Sequence, residues 1–415
     1  MKLKSIVAIV GLAIVSTLTS VAKAADPPPR VEASHLTGHL HRFRCLEYVS
    51  VIASVGEDGT LLVDTGYGAS AEGLREELAE MGAPPIRIVI NTHGDLDHVG
   101  GNDLLADGAV VISNPDVRRR MRTYFALPVM DVPGQPSVTL GGETTVHFNG
   151  ETIRLIPLTG GHSAGDLVVH FTDSRIACVG DIVLAGTFPN ADPGRGGDAR
   201  RLAGVLNELV RRLPADTTIV SAHGDAMTME ELGVYTEMVE GTMAAVAAEI
   251  EAGRSLAEIV ELNPLSPWAE WESPEVGLTF ERWIREIHAS LTGTSTQSIC
   301  APVTEALERD GIDAAVARYR ELRRDEPESW QFERWQLNIL GYQLMARERY
   351  DDAIAILTLN VEAFPDHFDP YDSLGEAYMR AGRDEPAVAN YERSLELNPD
   401  NANAVEMLAR IRGER

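Results

Sequence analysis

The stretch Thr92-His93-Gly94-Asp95-Leu96-Asp97-His98-Val99-Gly100-Gly101-Asn102 decides how this chain reads. It follows the mostly β-branched run Ile86 to Ile90, short enough to be a buried strand that ends at Asn91. Four imidazole or carboxylate side chains, His93, Asp95, Asp97 and His98, fall within six residues. Glycines at 94, 100 and 101 let the loop bend tightly. Those four groups can therefore converge from one loop, as ligands do around a divalent cation. The alternative is a polar surface turn, and this density of ligands weighs against it.

Working outward, the same arrangement recurs. Strand-like segments 152–157, 176–179 and 218–221 lead into Gly160-Gly161-His162, Gly180-Asp181 and His223-Gly224. Each of His93, His162, Asp181 and His223 thus follows a short apolar run and sits beside glycine, so all four can lie on loops at one edge of a sheet. Upstream, 46–54 and 60–64 read as a hairpin joined by Gly56-Glu57-Asp58-Gly59 and ending in Asp64-Thr65-Gly66. Helical patterns cover 69–81, 115–124 and the stretch from Asp198, a good N-cap, to Leu213. Segment 25–38, rich in proline, reads as irregular, with His35, His39 and His41 as exposed or strand-lining histidines.

The pattern His-x-Asp-x-Asp-His followed by Gly-Gly resembles the signature loop of the metallo-β-lactamase-fold hydrolases, whose usual form is His-x-His-x-Asp-His. Asp95 is the departure. The resemblance implies an α/β fold, an αββα sandwich, over residues 38–228, followed by an all-α extension over 229–290. It also implies two divalent metal ions: His93, Asp95 and His162 on one, Asp97, His98 and His223 on the other, with Asp181 bridging. A metal-bridging hydroxide would be the nucleophile, with Asp97 as the catalytic residue that orients it and carries a proton to the leaving group. Zinc ranks first because four imidazoles remain; an added carboxylate brings iron or manganese into range. Asp95 in place of histidine also removes one positive charge from the centre, so weaker electrophiles and activated acyl groups or strained rings are the expectation.

Composition sets the frame. The 415 residues suit two or three domains, and 44% hydrophobic content suits a globular protein. Residues 1–24, with Lys2 and Lys4, an apolar run from Ile6 to Val15 and a small-residue end at Ala22 to Ala25, read as a signal peptide. Export to the periplasm or medium follows, and no other segment is long enough to span a membrane. Loss of the leader takes the net charge from −27 to about −30, which argues against nucleic acid as a partner. Arg118, Arg119, Arg120 and Arg122 stand out in so acidic a chain; a solvated helix face is preferred over a role in attracting an anionic substrate. The scattered Cys45, Cys178 and Cys300 offer no metal or redox spacing.

Residues 228–250 and 255–262 read as helices, with Trp268, Trp271 and Trp283 as packing anchors, and 291–301 reads as a linker. Beyond it, Gly341 and Gly375, Ala353 and Ala387, and Pro365 and Pro399 are each 34 residues apart. That period resembles tetratricopeptide repeats, clearest at 335–368 and 369–402 within a helical region 302–415. The expected function is an exported binuclear metal-dependent hydrolase of an ester, lactone or related small molecule, with the repeats docking a protein partner or covering the pocket. The alternatives are a scaffold acting through its repeats and a di-iron redox protein. Loops 114–136 and 184–197 are the expected pocket walls, since loops carry specificity.

Overall fold

β-branched runs flanked by glycine, aspartate and asparagine form the strands. In chain order the first elements are β1 (Val31–Thr37), β2 (Leu40–Cys45), β3 (Val49–Gly56), β4 (Gly59–Val63), α1 (Ala71–Glu80), β5 (Ile86–Ile90), α2 (Leu96–Val99), α3 (Asn102–Leu105), β6 (Val110–Ser113), α4 (Pro115–Thr123) and β7 (Val138–Thr139). The next are β8 (Thr144–Phe148), β9 (Glu151–Pro157), β10 (Leu167–Phe171), β11 (Ile176–Gly180), α5 (Ala199–Arg212), β12 (Thr218–Ser221), α6 (Met229–Glu251), α7 (Leu256–Leu262) and α8 (Phe280–Thr292). The computed structural model describes residues 31–45, 49–123, 134–294, 297–327, 329–332, 334–399 and 401–413. The leader and much of the expected 114–136 wall lie outside these residues. Among them, no helix is long and apolar enough to cross a membrane.

Two sheets stack. One runs β1-β2-β3-β4-β5-β6-β7 and the other β12-β11-β10-β9-β8. Because strand side chains alternate between faces, Leu61, Val63, Ile90, Leu155, Leu167, Val169 and Phe171 meet in the core between the sheets. The opposite face of the first sheet, with Leu62 and Val89, packs on Leu74 and Leu78 of α1. That of the second, with Val168 and Ala177, packs on Leu202, Leu206, Tyr235 and Trp283 from α5, α6 and α8. The αββα order expected from the motif is therefore present.

The strand β1 corrects the reading of 25–38 as irregular over residues 31–37, while 25–30 lie outside the described residues. It pairs antiparallel with β2 from Val31 opposite Cys45, yet four of its seven residues are exposed. An edge strand of that kind carries no apolar alternation to be read. His35 and His41 face each other across this pair, ring centres 5.2 Å apart. The three cysteines are free, with Cys45 and Cys178 buried.

Among the described residues the chain divides into two compact units, residues 31–121 with 134–294 and residues 297–413. Helices α6 to α8 share the core of the first unit. Trp283, 1% exposed, donates from Nε1 to Thr242 Oγ1 at 2.9 Å, as a packing anchor should. The second unit begins inside the stretch read as a linker: Ile299 lies in its core, and β13 (Gln297–Ser298) pairs with β14 (Trp330–Gln331). Around them are α9 (Cys300–Asp310), α10 (Ile312–Asp325), α11 (Arg334–Ala346), α12 (Tyr350–Ala363), α13 (Phe368–Arg380), α14 (Asp384–Leu397) and α15 (Ala402–Arg412). The repeat glycine Gly341 permits close packing of α11 on α12, since a Cβ there would fall 2.5 Å from Leu357 Cγ.

Candidate metal centre

Strand direction places the site. β4 and β5 are parallel, as are β11 and β12, and β9 shares their sense because both β9 and β11 are antiparallel to β10. The loops after β4, β5, β9, β11 and β12 therefore open on one edge of the sandwich. There Leu167 N donates to Thr92 O at 2.8 Å, tying the two sheets together.

All seven residues expected as ligands lie at this edge. His93, His162 and Asp181 present ligand atoms within 4.8 Å of one another, as do Asp97, His98, Asp181 and His223. Asp181 is common to both groups: its Oδ1 lies 3.3 Å from His98 Nε2 and 3.4 Å from His223 Nε2, and its Oδ2 3.9 Å from the Nε2 of both His93 and His162. Asp97 Oδ2 is 3.2 Å from His223 Nε2. Asp95 Oδ2 is 3.8 Å from His93 Nε2 and 3.5 Å from His162 Nε2.

Two of the imidazoles are aimed by a partner on the other nitrogen. His98 Nδ1 lies 2.8 Å from Asp64 Oδ2, and His162 Nδ1 lies 2.7 Å from the Asn190 carbonyl. A carbonyl or carboxylate there fixes the proton on Nδ1 and leaves the Nε2 lone pair facing inward. Asp64 itself is anchored by Thr92, whose N and Oγ1 donate to its two oxygens at 2.8 and 2.7 Å. Asp166 shapes the third loop by accepting from the backbone N of His162 and Ser163, each at 2.8 Å; its burial pushes it up to about 6.

Nε2 of His93, His98 and His162 and Oδ1 of Asp95 and Asp181 are buried without hydrogen-bond partners. Such groups normally find partners, at a cost of about 1–3 kcal/mol each when they do not. Convergent imidazole nitrogens and carboxylates satisfied by nothing else are a donor set for divalent cations, so the residues fit the two metals expected. Burial and the neighbouring His98 ring lower His93 well below its ordinary pKa. For His98 burial is outweighed by Asp181, Asp97 and Asp64, which raise it well above. Asp181 is held well below the carboxylate range by His223 and His98 despite its burial.

Three readings of the sequence are corrected here. Asp95 does not stand alone: despite its burial, Arg195 and Arg120 hold it well below the usual carboxylate range. Arg120 Nη2 is 2.9 Å from Asp95 Oδ1, and Arg195 Nη1 is hydrogen-bonded to Asp95 Oδ2. The charge subtracted by Asp95 is thus offset by two guanidiniums, which the sequence reading left out of account. The arginine run on α4 is not simply a solvated face either, because Arg120 is only 16% exposed while Arg119 is 69% exposed and pairs with Asp116. Glycines 100 and 101 serve differently from the expectation as well. Their φ values of −63° and −86° are open to any residue, but a Cβ on Gly101 would lie 2.4 Å from the Thr65 carbonyl.

The helical extension supports the centre. Glu286 of α8 accepts from Ala191 N at 2.7 Å, and Arg282 donates to Asn190 Oδ1 at 2.9 Å, so α8 grips the segment whose carbonyl aims His162. On the opposite side Arg42 donates to the Gly224 carbonyl, and Ser50 N to the Ala222 carbonyl at 2.8 Å, holding the loop of His223. Asn190 and Arg195 lie in the 184–197 loop expected as a pocket wall, though neither was singled out there, and Glu286 carried no signal in the sequence. Asp64 did, as the carboxylate ending a strand at the same edge.

Comparison with known proteins agrees. Residues 43–223 match the metallo-beta-lactamase superfamily and residues 368–411 a tetratricopeptide repeat. The chain is 28% identical over 213 residues to a hydroxyacylglutathione hydrolase of Synechococcus sp., covering 50% of this chain and 78% of that one. It is 29% identical over 252 residues to the hydroxyacylglutathione hydrolase of Gloeobacter violaceus, covering 57% and 90%. Among solved structures, a stereoselective inverting sec-alkylsulfatase from Pseudomonas sp. shares the fold with a TM-score of 0.51 at 14% identity, over 88% of this chain and 65% of that one. Residues 43–223 thus form a metallo-beta-lactamase superfamily domain similar to hydroxyacylglutathione hydrolases, and a tetratricopeptide repeat follows at 368–411.

Proposed function

We propose that this chain is an exported hydrolase that uses two divalent cations, zinc foremost, to cleave an ester, thioester or lactone of a small molecule. The observation that carries the reading is the convergence of buried, unsatisfied Nε2 atoms from His93, His98 and His162 on the carboxylate of Asp181. The hydroxyacylglutathione hydrolases among its relatives supply the thioester class. Export is supported by the leader pattern of residues 1–24.

His93, His162, Asp181 and Asp95 would hold one cation, and Asp97, His98, Asp181 and His223 the other. When bound, such a pair acidifies water towards neutral pH and polarises the scissile carbonyl. The protein supplies the rest. Asp97 is the ligand-set carboxylate most open to solvent, its side chain 16% exposed, so its Oδ can take a proton from incoming water and deliver it to the departing alkoxide or thiolate. Asp64 and the Asn190 carbonyl keep the rings of His98 and His162 in one tautomer throughout. The repeats of the second unit provide a surface for a protein partner.

Metal analysis of the purified chain together with a panel of chromogenic esters, thioesters, lactones and a cephalosporin tests the reading. Bound metal and turnover of one panel class, abolished in Asp97→Ala and His162→Ala, support it. A chain that binds no divalent cation overturns it.

A further inference from the structure

Asp95, unlike the imidazoles of the centre, is flanked by two guanidiniums. The Nε2 atoms of His93, His98 and His162 meet no hydrogen-bond partner. Oδ2 of Asp95 accepts from Arg195 Nη1, and its Oδ1, which also accepts no hydrogen bond, is paired with Arg120 Nη2 at 2.9 Å. The three side chains are 5%, 16% and 17% exposed, so solvent screens the cluster weakly. Arg195 is also held from behind, with its Nε 3.4 Å from Asp192 Oδ2. The groups whose ligand atoms lie mutually within 4.8 Å are likewise unequal. The half built on Asp97, His98, Asp181 and His223 has four residues; the half built on His93, His162 and Asp181 has three, without Asp95.

We propose that Arg120 and Arg195 are positioning residues that make the two halves of the centre unequal in affinity, so that the chain loads its cations in two separable steps. A carboxylate paired with two guanidiniums, one of them through a charge-assisted hydrogen bond, is a weaker donor to a metal, because the same negative charge is shared with them. Two fixed positive charges beside the His93 and His162 half also repel an incoming cation directly. Neither effect reaches the other half as strongly, since its carboxylates, Asp97 and Asp181, contact imidazoles rather than arginines. The four-residue half fills first and tightly; the half containing Asp95 fills second and weakly. Occupancy of the second site then follows the free metal concentration.

The inference rests on the centre being a binuclear metal site, and the test keeps the two apart. The metal-free full-length chain is titrated with cobalt(II), read by its visible spectrum, and with zinc(II) in competition with a chromophoric chelator. Two equivalents separated by at least tenfold in dissociation constant are expected. His162→Ala should remove only the weaker equivalent, and His223→Ala should perturb the tighter one. Arg195→Gln, and independently Arg120→Gln, should tighten the weaker equivalent by tenfold or more and leave the tighter one unchanged, which also shows that the variant has folded. Two equivalents of equal affinity in the unaltered chain, or the reverse assignment of the two histidine variants, would overturn the inference. So would an arginine variant that folds and binds its second equivalent no tighter. No binding of either metal would sink the binuclear reading itself.

Discussion

Asp64 Oδ2 lies 2.8 Å from Nδ1 of His98, across 34 residues of chain, with both side chains 3% or less exposed. Asp64 adopts φ of +63° to make this contact, a left-handed conformation that asparagine tolerates and alanine does not. Asp64→Asn should therefore keep the backbone while removing the anion behind the ligand, lowering metal affinity by about 10- to 100-fold. Asp64→Ala should lose the same affinity and about 1 kcal/mol of stability besides. Chelator competition and thermal unfolding of both variants check this; equal metal affinity in Asp64→Asn and the parent would reject it.

Metal binding should weaken as pH falls. In the metal-free centre His98 lies well above its ordinary pKa, because Asp181, Asp97 and Asp64 outweigh its burial. His162 is raised as well, by Asp95 and Asp181 against burial. Only a neutral imidazole can donate to a cation, so protons compete from a higher pH than for free histidine. The apparent affinity should drop about tenfold per pH unit for each proton displaced, below those raised values. Zinc affinity measured at several pH values between about 6 and 8.5 should show this slope; a flat profile would contradict it.

The grip of α8 on the His162 side can be cut at a distance. Glu286 is buried and its carboxylate accepts the Ala191 N–H and the Arg282 guanidinium. Removing it leaves both donors without that acceptor, so Glu286→Ala should cost about 2–3 kcal/mol. It should also loosen the Asn190 carbonyl that aims His162. Unfolding measurements with metal stoichiometry at limiting zinc would reveal both effects, and a variant as stable as the parent would rule out the buttress.

Gly180→Ala is expected to damage the centre from inside. Gly180 sits at φ +55°, and a Cβ there would fall 2.7 Å from Thr92 Oγ1. Backbone strain and displacement of Thr92, which anchors Asp64, should together cost more than about 1 kcal/mol. The expected result is a lower melting temperature with reduced metal content; unchanged values in both would refute it.

In the repeat unit, Asp372 accepts from Asn401 Nδ2 at 2.9 Å and Asn403 Nδ2 at 2.8 Å, and burial pushes it up to about 6. A carboxyl raised on folding contributes stability below its unfolded pKa near 3.8, and that contribution is lost as pH rises through about 6. The full effect is at most about 3 kcal/mol. Helix unfolding of the full chain followed between pH 4 and 7.5 should show this loss, and Asp372→Asn should flatten it. A slope identical in the two proteins would exclude Asp372 as its source.

Where the chemistry sits was legible from the chain because it is written locally. His93 to His98 follow one β-branched run, and His162, Asp181 and His223 each follow another, so strand period and glycine punctuation were enough to bring them to one edge. The 34-residue spacing of Gly341 and Gly375 disclosed the repeats in the same way. What Asp95 does there was decided only by the fold. Arg195 meets it across 100 residues, and Arg120, one of several arginines on α4, reaches it through the rotation of that helix. Glu286 reaches the site from an extension with no visible tie to it. Local pattern follows from backbone geometry and is carried by neighbouring residues; charge compensation follows from distances across the sandwich, which come into existence only when the sheets and α8 have packed.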